Sequence, residues 1–599
     1  MKRLALAAFG LFLAAGCDKH ASTSGDGAKA GGKYVLEFDL SSGAPETATG
    51  SFLVPTAASR TYTGLIRAFE RAASDSRASA LFLKLGDASM GWAHAEEIGY
   101  AFSRLREKTG KPVVCHATAV DNRTAWVLAR ACTKTWVSPA SDVDTVGIAG
   151  QVVYLKSALD KLKITADFLH MGRYKSASET LTQDGPSDEA RESLTAVLSS
   201  MRKSWIDGEN AARKRDVGKA LEDGPWSPED ARTEGLIDAV GYESEARADA
   251  QTLGKTTETE SAFGGKRKQG PGFEAAELLR LVAGGEPGTK KPHIAVLAAE
   301  GSIAMGKAGS FGESGITETG MRRAIKKLTE DDSVKAVVLR IDSPGGSALA
   351  SDLIWHDLME LRKKKPLVAS VGDMAASGGY YLACAANVIV APETSIVGSI
   401  GVLGGKIVVS GALEDVGVHS ETFPASSADG AGPRAAYLSA LTPWDDATRE
   451  KVRREMSSVY ELFLKRVAEG RGLPVELIRA VAEGRIWSGI QGQRIRLVDE
   501  LGGLGKALDV ARKRANLDAE APIVLAGVSE TFLESLFGGD DGDDANESRA
   551  LSRFTGAATP EARFLDAVAE PVRKFVATLA PLADGETTLV ALPFGLVIR

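Results

Sequence analysis

The chain repeats itself, and that limits it to folds that can be built twice. Ala80-Leu81-Phe82-Leu83-Lys84-Leu85 is answered by Ala336-Val337-Val338-Leu339-Arg340-Ile341. Lys111-Pro112-Val113-Val114 is answered by Lys365-Pro366-Leu367-Val368, and Val137-Ser138-Pro139 by Val390-Ala391-Pro392. Further on, Trp226-Ser227 and Leu236-Ile237-Asp238 match Trp487-Ser488 and Leu497-Val498-Asp499. Matched blocks in one order mark a tandem duplication. The apolar runs read as buried strands, with helical stretches at 96–108 and 351–364 between them. That alternation predicts an α/β unit with right-handed crossovers, present twice.

The expected organisation is a first repeat at 33–251, a linker at 252–291, a second repeat at 292–519 and a C-terminal extension at 520–599. Each repeat covers about 220 residues, an ordinary domain size. The linker is polar and glycine-rich in its first part. Within the extension, Asp540-Asp541-Gly542-Asp543-Asp544 reads as an acidic loop. Residues 561–579 have helical periodicity, interrupted at Pro571.

The two halves differ where chemistry is concentrated. The second reads Asp373-Met374-Ala375-Ala376-Ser377-Gly378-Gly379-Tyr380. Aligning Leu128-Ala129 with Leu382-Ala383 puts Arg123 opposite Ser377, and a one-residue slip puts Thr124 there. The first half instead carries Gly172-Arg173-Tyr174-Lys175-Ser176-Ala177. The second half has no lysine between Lys406 and Lys451. A serine without a base is a weak nucleophile, so the mismatch points to one composite site. Neither half is expected to be active alone.

Ser377 is expected to open a helix, and small neighbours leave room for a substrate backbone beside its hydroxyl. After strand 336–341 comes Asp342-Ser343-Pro344-Gly345-Gly346-Ser347. Amides in such a turn are suited to holding an oxyanion, which makes Gly345, Gly346 and Gly378 candidate donors. The matching turn, Gly86-Asp87-Ala88-Ser89-Met90-Gly91, lacks Pro-Gly-Gly. Serine and loop are therefore intact in one half and altered together in the other. For the base, Lys175 has no adjacent acid, and burial would favour its neutral form. His356 is the alternative partner.

The N-terminus predicts export. Met1-Lys2-Arg3 precedes an apolar stretch at 4–15, the right length for a signal-peptide core. Residues 1–16 therefore read as a signal peptide. Leu13-Ala14-Ala15-Gly16-Cys17 resembles a lipoprotein box, with Cys17 the lipidated residue and 17–32 a polar tether. Cys115, Cys132 and Cys384 are expected to be buried free thiols. No cysteine spacing resembles a zinc site, and no metal is expected. The net charge of -7 implies no nucleic-acid-binding surface.

Taken together, the Asp342–Gly346, Asp373–Tyr380 and Arg173–Ala177 motifs resemble the long, two-repeat form of bacterial signal peptide peptidase. That family belongs to the Clp protease/crotonase superfamily of folds. The resemblance covers roughly residues 33–517. It implies tandem duplicated Clp protease/crotonase-like domains, with Ser377 as nucleophile and Lys175 as general base. It also implies peptide substrates such as signal-peptide remnants and a bowl-like homo-oligomer working at the inner membrane. The Ser–Lys chemistry needs no cofactor, and lipid on Cys17 would hold the enzyme at a membrane, facing the periplasm. Two departures stand out: Glu179 is followed by Thr180 where the family has Glu-Pro, and the start is lipoprotein-like rather than an uncleaved membrane helix. Two competing readings are a non-catalytic lipoprotein scaffold and an acyl-CoA enzyme of crotonase type.

Overall fold

A computed structural model describes residues 32–47, 60–88, 90–265, 289–306, 315–526, 589–591 and 597–598. The signal peptide, Cys17, the acidic run and the 561–579 helix lie outside these residues. Among the described residues, no helix is long and apolar enough to cross a membrane.

The duplication is visible in two sheets. In the first, six parallel strands run in the order Thr259–Phe263, Tyr34–Leu40, Ala78–Leu85, Val113–Ala117, Lys134–Val137 and Ala239–Val240. In the second, Ile523–Ala526, His293–Glu300, Val334–Ser343, Leu367–Ala376 and Val388–Ala391 repeat that order, followed by Glu500–Leu501. Strands covered on both faces have no polar side to show. Val113–Ala117 and Val388–Ala391 are accordingly buried at every residue.

Small details are copied as well. Lys111 donates to the carbonyls of Ala72 and Asp75, and Lys365 to those of Leu328 and Asp331. The Trp226 indole donates to Ala220 O, and the Trp487 indole to Val481 O. Asp238 accepts the amide of Thr135, and Asp499 accepts that of Ile389.

Both repeats extend further than the sequence reading placed them. Thr259–Phe263 lies in the stretch read as linker, yet it is the edge strand beside Tyr34–Leu40. Ile523–Ala526 lies in the stretch read as extension, yet it holds the same position beside His293–Glu300.

The cysteine expectation is corrected in part. Cys115 and Cys132 form a disulfide, with Cα atoms 5.9 Å apart. Cys115 sits in a strand, and Cys132 ends the helix Asn122–Ala131 that leads to the next strand. Apolar neighbours kept both buried but did not keep them apart. Cys384 is free and buried, and burial pushes its thiol up to about 12.

Two features weld the repeats together. A third sheet runs Ile316–Thr317, Ile303–Ala304, Gly345–Ser347, Leu589–Ala591, Val402–Val408 and Thr165–Met171. Its last pair crosses the duplication: Thr165–Met171 of the first repeat is antiparallel to Val402–Val408 of the second. The other weld is ionic. Arg340 of the second repeat is 1% exposed and donates to Glu46 and Glu97 of the first. His94 bridges Glu46 and Asp373 at 2.6 and 2.8 Å.

Candidate active site

Ser377 stands between the strand Leu367–Ala376 and the helix Gly378–Ala383. Its backbone has φ 57° and ψ -114°, a region L-residues rarely adopt. Such a conformation persists only where neighbours enforce it. Here Ser377 N donates to Gly398 O at 2.7 Å, and Ser377 O accepts from Tyr381 N at 2.9 Å. The residue makes no side-chain cap to its helix. Its hydroxyl is therefore not committed to the capping role usual at a helix start.

Lys175 arrives from the other repeat. The strand Thr165–Met171 delivers the chain to the turn at Gly172, where φ is 104°. Beyond the turn, Tyr174 N donates to Glu483 O at 2.7 Å and Arg173 N to Glu483 Oε2 at 3.0 Å. A Cβ on Gly484 would meet the Lys175 backbone at 2.5 Å, so only glycine lets the lysine loop sit this close. The lysine loop is thus clamped onto the second repeat at Glu483 and Gly484.

The result is a buried Lys–Ser pair within one chain. Lys175 Nζ lies 2.8 Å from Ser377 Oγ and 3.0 Å from both Ser399 O and Ser399 Oγ, each within hydrogen-bond distance. Ser377 is fully buried and Lys175 is 1% exposed. Burial alone holds the lysine well below its ordinary value, because the ammonium form loses its hydration. A neutral amine at hydrogen-bond distance from a hydroxyl can take that hydroxyl's proton.

Ser399 was not singled out by the sequence. It has φ 50° and follows Gly398, so a serine beside glycine reads as an ordinary turn. The only signal available was its place in Val397-Gly398-Ser399-Ile400-Gly401, just after a buried strand. His356, the alternative base, is exposed and faces Asp357 at 3.2 Å.

The glycine turn packs beside the serine. A Cβ on Gly378 would lie 3.1 Å from Gly345 Cα. Gly345 N donates to Ser343 Oγ at 3.2 Å, and Ser343 Oγ donates in turn to Gly301 O. Gly346 has φ 155°, and a Cβ there would strike Ile303 O at 2.1 Å. The turn therefore requires glycine at this position. A cavity of about 280 Å³ adjoins the lysine loop, lined in part by Tyr174, Ser176, Leu194, Leu198, Gly484 and Ile486.

A buried serine within hydrogen-bond reach of a buried lysine stands on a duplicated α/β scaffold, and comparison with known proteins places the chain among serine-type peptidases. The model of Peptidase family S49 matches residues 105–257 and 359–518, one segment in each repeat. The chain is 30% identical over 480 residues to "Serine protease SPPA, chloroplastic" of Arabidopsis thaliana, covering 79% of this chain and 68% of that one. It is 31% identical over 454 residues to "Protease 4" of Salmonella typhi, covering 73% and 70%. "Protease 4" of Haemophilus influenzae is 29% identical over 429 residues, covering 70% and 67%. The chain belongs to Peptidase family S49, and its two repeats are tandem Clp protease-like domains.

Proposed function

We propose that this peptidase works through a Ser377–Lys175 dyad and cleaves apolar, signal-peptide-like segments at a membrane. The observation that carries the dyad is the 2.8 Å contact between a buried amine and the hydroxyl of a strained serine. In this reading neutral Lys175 removes the Ser377 proton as Oγ attacks the scissile carbonyl. The amides of Gly346 and Gly378 are the candidate donors to the developing oxyanion, and Gly345 N–H joins them on leaving Ser343 Oγ. Lys175 then returns the proton to the leaving amine, and water releases the acyl group by the reverse sequence. Apart from that water, every step uses side chains and amides of this chain.

The cavity beside the lysine loop offers leucine and isoleucine walls, which suits apolar side chains. The Cys115–Cys132 disulfide supports an oxidising compartment, in keeping with an exported chain held by lipid on Cys17 and facing the periplasm. A homo-oligomer is supported by the second repeat's counterpart of the lysine arm, which joins no strand among the described residues. Ser157-Ala158-Leu159-Asp160 precedes that arm, and Gly411-Ala412-Leu413-Glu414 matches it in the second repeat. Beyond Glu414 the second repeat exposes Val418 at 50% and Phe423 at 82%. A neighbouring copy would cover such a surface.

The direct test is labelling with a serine-reactive fluorophosphonate, read alongside peptide cleavage. Both should vanish in Ser377→Ala. Unchanged labelling and cleavage in that variant would remove Ser377 from the mechanism.

A further inference from the structure

The third sheet contains a strand that does not belong to either repeat's own fold. Leu589–Ala591, from the far C-terminal region, lies between Gly345–Ser347 and Val402–Val408. It is antiparallel to both: Gly345 pairs with Ala591, Gly346 with Val590 and Ser347 with Leu589, while Leu403 also faces Leu589. One neighbour is thus the glycine turn beside Ser377, and the other carries the lysine arm. Adjacent strands lie about 4.8 Å apart, so without this segment its two neighbours would face each other across a gap one strand wide. A gap bordered by two strand edges is a receptor for an extended peptide.

The seating is specific. Leu589 is fully buried and packs with Ala177, Leu181 and Leu403, where Ala177 lies two residues beyond Lys175. Further along, Val597 and Ile598 pair antiparallel with Gln151 and Gly150, and Gly150 also lines the cavity by the lysine loop. The C-terminal region therefore follows the active-site edge at two separate points.

We propose that Leu589–Ala591 is a resident occupant of the peptide-binding slot, a strand tethered to the chain that competes with substrate in the same molecule. This rests on the dyad reading, because it takes the slot beside Ser377 as the place where substrate lies. Its ligand class is an extended segment with one apolar side chain in the Leu403–Leu181 pocket and a small residue opposite Gly345. A tethered competitor lowers apparent affinity by the fraction of time that it is seated. Nine-tenths occupancy raises KM about tenfold and leaves kcat alone.

The test compares the full chain with a chain ending at Asp584, on a short apolar peptide substrate. The truncated enzyme should show kcat/KM raised about tenfold through KM. A synthetic peptide of residues 585–599 should then inhibit it competitively. Val590→Pro in the full-length chain, which blocks strand pairing while retaining Leu589, should reproduce the gain if truncation impairs folding. Unchanged kcat/KM in both variants, with an inert added peptide, would overturn the proposal. A gain that appears only on dilution would place the strand in a second copy and overturn the same-molecule claim. None of these outcomes touches the dyad. That reading falls separately if Ser377→Ala still cleaves the substrate.

Discussion

The two repeats share a frame and differ at the same two turns. After Val113–Ala117 in the first, Asp121 caps the helix Asn122–Ala131, and Arg123 pairs with Asp121 at 2.6 Å. After the matching strand in the second, the chain enters a strained serine and a six-residue helix. The other turn, which ends at Gly91 in the first repeat, has become a docking surface. Gly91 caps the helix Trp92–Thr109 without a side chain, and Asp373 of the second repeat accepts Ala93 N at 2.9 Å instead. A Cβ on Gly91 would fall 1.7 Å from Asp373 Oδ2. The first repeat has neither the strained serine turn nor the Pro-Gly-Gly turn, and carries contacts that hold the second. Duplication makes such specialisation tolerable, because one copy can lose its chemistry while the other keeps it.

The comparison can be broken most severely at the dyad. Ser377→Ala and Lys175→Ala should each lower kcat/KM by roughly a thousandfold or more, since dyad members act as a unit. Arg123→Ser in the first repeat should confer no labelling. The pH profile is set by the neutral base: kcat/KM should climb with pH along a limb well below the ordinary lysine range, because Lys175 is active only after losing its proton. A limb near the free-lysine value would exclude Lys175 as the base.

Next in size is the ionic weld. Arg340→Met should destabilise the chain by about 3–5 kcal/mol, because buried Glu97 would lose its cation and buried Glu46 would keep only His94. Chemical denaturation of the intact protein measures this. A loss below about 1 kcal/mol would show that water reaches these carboxylates. The disulfide sharpens the contrast further. Leu83 faces Cys115 across the first sheet, and Leu339 faces Ala369 in the second. Cys132→Ala should therefore cost about 3 kcal/mol in a first repeat that alone has this staple. A midpoint insensitive to reductant in the unmutated protein would contradict that. The smallest effect is expected at Ser399→Ala. Losing one hydrogen bond to the lysine should lower kcat/KM roughly tenfold, with protein stability little changed.

The duplication, the serine, the lysine and the glycine turn were all legible because each is a local pattern. Buried strands are continuous apolar runs, and Pro-Gly-Gly or Ser-Gly-Gly marks a turn whatever surrounds it. What was missed depends on distant partners. The edge strand Thr259–Phe263 is polar in its first three residues and buried only at Phe263, so it lacks the apolar run that betrays its neighbours. Val402–Val408 contains Gly404-Gly405, which weakens a strand reading until Thr165–Met171 is seen paired to it. Cys115 and Cys132 are separated by 17 residues, and only the return of the helix to the next strand brings them together. Ser399 acquires significance solely because an arm from the other repeat ends on it.

In the proposed dyad, nucleophile and base meet across the repeats of one chain. Mixing refolded Ser377→Ala and Lys175→Ala proteins tests it directly, since each lacks a different half of the dyad. With both groups supplied by the same chain, every mixed assembly should remain as inactive as its parents at any ratio. Recovery of peptide cleavage on mixing would mean that the lysine reaches the serine of a neighbouring copy, and the site would then belong to the assembly instead.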